Sequence, residues 1–400
     1  MAFAEWERSR PSLPTPNPLK NAMLSSSPLN RRDWLKSTGA VVASLAVASQ
    51  FTTAKLRAQH ELDRSARRAE PARISGNENP YGPSQMAIMA MMQALEGTYR
   101  YPGAETRKLI DLIAAKEGVK PENVVMGVGS GEILEVYGLW LGQQKGEVVT
   151  VSPGYSQMTR TMETLGSKII SVPLNAALEH DLDAMASKVG ANTKCVYVCN
   201  PNNPTGTIVD AAKLKAFAME ISKKAPVFID EAYLECSDDF AGNTMVGLVA
   251  EGHNVAVART FSKVYGLAGQ RIGYGIMPAA MAEEVRKYST GSLNLLGVVA
   301  ATASLEDATY VEETRTKIKA ERDKLCGLLK ELGRKYAEPH GNFVFFQTGM
   351  PIKTFQEKML AENVQVGRPF PPLLDWCRIS IGSPEEMAMA YTALKKVFAT

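Results

Sequence analysis

From about residue 70 onward the chain alternates between short apolar runs and stretches with helical apolar spacing. Ser84 to Leu95 and Glu105 to Lys116 repeat apolar residues every three to four positions, which predicts two amphipathic helices. The first has a methionine-rich face, expected to be core. Val124 to Glu135 reads as a strand, a glycine-rich turn and a helix start. Glu147–Val151, Lys168–Val172, Thr193–Cys199 and Val227–Asp230 are strand-like, with a helix predicted over Asp181–Val189. Strands that alternate with helices predict an α/β fold whose sheet is mainly parallel and doubly wound. Tyr288 to Ala303 reads as a link to a second, smaller α/β unit. That unit has a long amphipathic helix from Glu306 to Leu332 and strands at Gly341–Phe346, Val364–Phe370 and Asp375–Gly382.

The first 70 residues follow neither period. Met1 to Pro28 is rich in Pro, Ser and Asn. Arg31-Arg32, Leu35-Lys36 and a mild apolar run through Ser49 then resemble a twin-arginine export signal. The run is too short to cross a bilayer of roughly 30 Å as a helix. Ala46-Val-Ala48 fits a small-x-small cleavage site, and cleavage after Ala54 or Ala58 is also compatible. An amphipathic tail with a chance arginine pair is the alternative. The expected division is an export signal and disordered N-terminus over 1–58, an arm with the first helix over 59–100, a large domain over 101–290 and a small domain over 291–400. Periplasmic location follows if the signal works, and cytoplasmic location if it does not.

Composition narrows the function. The 400 residues suit a two-domain enzyme, and 45% hydrophobic content is ordinary for a globular chain. A net charge of +3 argues against nucleic acid as a partner. The five cysteines are scattered, with no CxxC or Cys/His cluster that suggests a metal. Cys195 and Cys199 lie in an apolar run and are expected to be buried thiols.

The candidate chemistry lies at or just after strand-like runs, where open α/β sheets gather their sites. Asn200-Pro-Asn-Asn-Pro-Thr-Gly206 supplies an amide at Asn203. Val227-Phe-Ile-Asp-Glu-Ala-Tyr233 supplies the acid Asp230 and the phenol Tyr233. Arg259-Thr-Phe-Ser-Lys-Val-Tyr-Gly-Leu-Ala-Gly-Gln-Arg271 supplies Thr260, Ser262, the amine Lys263 and the guanidinium Arg271. This set is what holding pyridoxal 5′-phosphate requires. An amine condenses with the aldehyde, an acid keeps the ring nitrogen protonated, and hydroxyls and a guanidinium hold the phosphate. The Gly129-Ser130-Gly131 turn brings backbone N–H groups to an anion at a helix start.

In these motifs the chain, from about Ile74 to its end, resembles the fold-type I, class I/II aminotransferases, in particular the histidinol-phosphate aminotransferase-like subgroup. The resemblance implies a homodimer with shared sites that exchanges an amino group between an L-amino acid and a 2-oxo acid. It implies Tyr155 stacked on the cofactor ring, Asn203 and Tyr233 on its phenolic oxygen, and Tyr101 reaching the phosphate in the neighbouring subunit. Arg378 falls on the arginine for the substrate α-carboxylate. Tyr81, Asn79, Asn342 and Arg368 are the other implied substrate contacts. The three prolines between Arg368 and Arg378 depart from the subgroup's pattern. A decarboxylase of the threonine-phosphate type shares most of these motifs and remains an alternative, as does a cofactor-binding protein that no longer catalyses.

Overall fold

The computed structural model describes residues 70–289 and 291–399. The arginine pair, the expected export signal and residues 59–69 of the arm lie outside the described residues.

Eleven strands occur among the described residues: β1 (Ala72–Arg73), β2 (Val124–Gly127), β3 (Glu147–Ser152), β4 (Lys168–Pro173), β5 (Thr193–Cys199), β6 (Val227–Asp230), β7 (Val255–Thr260), β8 (Gly273–Ile276), β9 (Phe343–Gln347), β10 (Val364–Gln365) and β11 (Trp376–Ser380). Seven of them form one sheet in the order β2-β8-β7-β6-β5-β3-β4. Strands β3 to β7 pair in parallel, whereas β8 runs antiparallel to both β7 and β2. This is the mainly parallel α/β sheet predicted from the apolar runs.

Both faces of the sheet are covered, which explains why β6 and β7 are buried at every position. Side chains alternate between two cores, as the pleat requires. Val196, Val198, Val227, Ile229, Val255 and Val257 enter one core. Tyr197, Phe228, Ala256 and Ala258 enter the other, against Ile133 and Tyr137 of the helix Ser130–Gly142. The C-terminal part carries a separate antiparallel pair, β9 with β11, in which Arg378 lies opposite Phe345. The strands β1 and β10 pair in parallel and bring the segment after Glu70 under β11.

Three expectations need correction. The methionine face of the helix Gln85–Ala94 is not core: Met86, Met89 and Met92 are 41%, 53% and 65% exposed, while Ala87 is buried. Helical spacing shows that one face differs from the other, not which partner covers it. The stretch Tyr288–Ala303 is more than a link, because Leu295–Glu306 is a helix buried over most of its length. It packs on Gln85–Ala94 and Gly103–Glu117. Of the expected strand Val364–Phe370, only Val364–Gln365 pairs.

Candidate active site

The carboxyl ends of β6 and β7, the segment after β3 and the start of the helix Ser130–Gly142 enclose a cavity of about 710 Å³. Asp230, Tyr233, Ser262, Lys263, Arg271 and Tyr155 line it.

Asp230 is the last residue of β6 and is 2% exposed. Its carboxylate accepts from Tyr197 Oη (3.0 Å) and from the backbone N–H of Ala232 (3.1 Å). Burial pushes its carboxyl up to about 6, against the opposing pull of these donors and of Lys263. Lys263 follows β7, and its Nζ donates to the backbone carbonyl of Asn77 (3.1 Å). Burial, reinforced by the Arg378 charge, brings this amine down to about 8. Tyr233 Oη accepts from Asn77 Nδ2 (3.1 Å) and Asn203 Nδ2 (3.2 Å), and burial pushes its phenol up.

On the opposite side of the cavity lies an anion cradle. Thr260 Oγ1 donates to Ser262 Oγ (3.0 Å), and Arg271 Nη1 donates to the same oxygen (3.2 Å). Arg271 Nη2 donates to the carbonyl of Val128 (3.3 Å), so the guanidinium lies across the turn before Ser130. Glycine is required there twice. Gly129 has φ +77°, and a Cβ on it would meet Arg271 Nη2 at 2.3 Å. A Cβ on Gly273 of β8 would meet the Ser130 nitrogen at 2.3 Å. Gly131 and Ser130 also line the cavity. Tyr155 donates to Gln157 Oε1 (2.7 Å), and Gln157 Nε2 bonds Glu135 (2.8 Å), which fixes the ring beside this turn.

The remaining expected residues divide into two groups. Arg378 is 7% exposed and stands two hydrogen bonds behind the cavity wall, reaching Tyr233 through Asn203: it donates to Asn203 Oδ1 (2.6 Å) and to the Ser75 carbonyl (2.8 Å). Its Nε has no acceptor among the described residues. Arg368 and Arg378 lie over the same ring, Phe370, at 4.3 and 5.1 Å. Asn342 and Asn79 bond backbone instead, at Glu78 O (3.2 Å) and Val264 O (2.8 Å). Tyr81 does not line the cavity: its ring packs under Lys317 of the helix Ala308–Glu331, 5.4 Å away. Tyr101 is 87% exposed and stands clear of the cavity within its own subunit.

Several residues were missed. Asn77, Ser380 and Tyr197 each hold a cavity residue or its neighbour by hydrogen bonds. Beneath the site Arg259, 1% exposed, bonds Glu231 through Nε and Nη2 (3.0 and 2.9 Å) and Glu117 through Nη1 (2.6 Å). The signal for that cluster was present: a charged residue inside the otherwise apolar Val255–Thr260.

Comparison with known proteins agrees with the geometry. Fold and cavity define a pyridoxal-phosphate-dependent transferase of fold type I. Residues 72–394 match the family Aminotransferase class I and II, and the chain belongs to it. It is a pyridoxal-phosphate-dependent aminotransferase. It is 36% identical over 319 residues to histidinol-phosphate aminotransferase of Limosilactobacillus fermentum, covering 79% of this chain and 88% of the relative. The enzyme of the same description from Moorella thermoacetica is 34% identical over 343 residues, covering 85% and 88%. The crystal structure of histidinol-phosphate aminotransferase from Sinorhizobium meliloti in complex with pyridoxal-5′-phosphate superposes with a TM-score of 0.72 at 29% identity, covering 82% and 92%. These relatives do not favour the decarboxylase alternative.

The residues fit the cofactor. A buried carboxylate without a cation of its own, an amine brought toward neutrality and a guanidinium against a glycine that admits no side chain suit a ring nitrogen, an aldehyde and a phosphate. The cost of the carboxylate is testable. A carboxyl whose folded pKa exceeds its unfolded value destabilises the fold above about pH 4, and fully so above about 6. Asp230→Asn is therefore expected to stabilise the cofactor-free chain at pH 7.5 by roughly 1–3 kcal/mol. The gain should shrink toward zero near pH 4. Urea unfolding of both proteins across this range is the measurement, and a pH-independent difference would contradict the assignment.

Proposed function

We propose that this aminotransferase exchanges the amino group between an L-amino acid, aromatic or of broad range, and a 2-oxo acid. One observation carries the reading: Lys263, Asp230 and the Ser262–Arg271 cradle face one cavity, and Arg378 is linked to its lining residue Tyr233 through Asn203. When bound, the pyridoxal ring supplies an electron sink for charge left on the substrate carbon. Lys263 Nζ would take the proton from the substrate Cα as general base and, as general acid, deliver it to the cofactor C4′. An amine near 8 can do both around neutral pH. Asp230 would hold the proton on the ring nitrogen. Thr260, Ser262, Arg271 and the N–H groups around Gly129-Ser130-Gly131 would hold the phosphate. Tyr155 would serve the ring, and Asn203 and Tyr233 its oxygen. Arg378 receives the α-carboxylate, which orients the Cα–H bond. Asn79 and Asn342 act at one remove, by fixing the segment around Glu78.

Histidinol phosphate is a second donor to consider. The relatives carry its name, and Arg368 and Arg378 on one ring offer charge for a second anion. A donor panel with wild type and Arg368→Ala separates the two readings. Only a phosphorylated donor should depend on Arg368.

A homodimer is supported by the exposed stripe Met86, Met89, Met92 and Leu95, continuous in sequence with Tyr99 and Tyr101. In a dimer Tyr101 would serve the neighbouring subunit's phosphate site. Met89→Glu with Met92→Glu should shift sedimentation from dimer toward monomer; an unshifted dimer would place the interface elsewhere. The twin-arginine resemblance supports export to the periplasm. Arg31→Lys with Arg32→Lys is expected to retain the folded, yellow protein in the cytoplasmic fraction, and unchanged periplasmic recovery would remove that proposal.

Lys263→Ala is expected to abolish turnover and to leave the cofactor bound without a covalent link. Borohydride should fix cofactor to the wild type alone; fixation to the variant would reassign the amine. Arg378→Lys keeps the charge but loses the two-bond fork. It should weaken amino-acid binding by roughly 1.5–3 kcal/mol, the value of a charged hydrogen bond. Reaction with the matching amine, which lacks the carboxylate, should be unchanged. Equal losses for both donors would make Arg378 structural.

A further inference from the structure

The hydrogen bonds around Tyr233 leave its proton one direction to go. Arg378 can only donate, so Asn203 Oδ1 must be the atom that accepts from it, at 2.6 Å. That orientation turns the Asn203 amide nitrogen toward Tyr233 Oη, 3.2 Å away. The same logic fixes Asn77. Ser380 Oγ accepts the Asn77 backbone N–H at 2.8 Å, and its own hydrogen goes to Asn77 Oδ1 at 2.7 Å. The Asn77 amide nitrogen therefore also faces Tyr233 Oη, at 3.1 Å. A phenol oxygen has two lone pairs, and two amides now occupy them. Its O–H is left to point into the cavity that Tyr233 lines.

Asn77 makes a further contact, since its main-chain carbonyl accepts from Lys263 Nζ. The residue is 1% exposed and has φ 53°, a left-handed backbone that asparagine tolerates better than most side chains. We propose that Asn77 is a positioning residue: its amide makes Tyr233 an obligate hydrogen-bond donor to an anionic oxygen in the cavity, while its carbonyl holds the Lys263 amine. Ser380, two residues beyond Arg378 on β11, ties Asn77 to the strand that carries the carboxylate-binding arginine. Arg378, Cys236, Glu78 and Asp230 act on the Lys263 amine, whose Nζ lies 5.2 Å from the Tyr233 ring, and Arg378, Cys199 and Asp230 act on Tyr233. None of them replaces the amide donor.

The inference rests on the roles proposed for Tyr233 and Lys263. Borohydride capture in the wild type checks the lysine independently. Asn77→Gly keeps the left-handed backbone and the carbonyl but removes the amide. A phenol that accepts fewer hydrogen bonds is a weaker donor. The holoenzyme's visible band should then titrate at a pH higher by about half a unit to one unit. The turnover number should fall about 10- to 100-fold, with the amino-acid KM changed little. In a Tyr233→Phe background the same substitution should move neither quantity, because no phenol remains to be oriented. Ser380→Ala leaves the Asn77 backbone and amide intact and should shift the titration in the same direction by less. It decides the matter if Asn77→Gly does not fold. An unmoved titration in the variant that folds, or an equal effect with and without Tyr233, would overturn the proposal.

Discussion

A carboxylate kept out of water at the end of β6 sets the terms for the rest of the site. Asp230 is surrounded by the sheet and its covering layers, with two neutral donors and a partly neutral lysine as company. Among the described residues no cation forms an ion pair with it, so its charge is held ready for a cationic group that enters the cavity. The surroundings serve the same end. Tyr197 presents a hydroxyl rather than an ion. The positive charge of Arg271 is directed to the far side, toward an anion cradle.

Beneath this lies a second buried charge cluster with the opposite design. Arg259 and Glu231 are each 1% exposed and fully paired with one another, and Glu117 completes the set. Arg259 precedes Thr260 and Glu231 follows Asp230, so a closed ion pair holds the ends of two strands from which the open site projects. Loss of one partner would leave an uncompensated buried charge, worth on the order of 3–5 kcal/mol. Strand alternation lets neighbouring residues take such different parts.

Much of the site was legible because each residue lies at a strand end within a short motif. Lys263, Asp230, Tyr233, Ser262, Arg271, Ser130 and Gly131 were identified from residue type and order, and they meet at one cavity. The direction of Tyr81 was not legible. Loop direction depends on what the loop packs against, and here Lys317 of the helix Ala308–Glu331 lies 5.4 Å from the ring. Asn77 lay in plain view in Asn77-Glu-Asn79-Pro but carried no chemistry of its own. Its importance comes from Tyr233, Lys263 and Ser380, which are 156, 186 and 303 positions distant.

The sequence by itself determined the sheet class and the cofactor chemistry. Apolar runs flanked by helical periods admit few architectures, and an amide, an acid with a phenol, hydroxyls, an amine and a guanidinium in that order admit few cofactors. Tertiary structure alone decided which carboxylate is paired and which is left open, since both lie side by side at Asp230-Glu231. It also decided that the methionine face is exposed and that a linker-like stretch is a buried helix. A side chain's period reports only that one face is apolar. What covers that face, and which donor reaches a buried oxygen, depends on contacts between residues far apart in the chain.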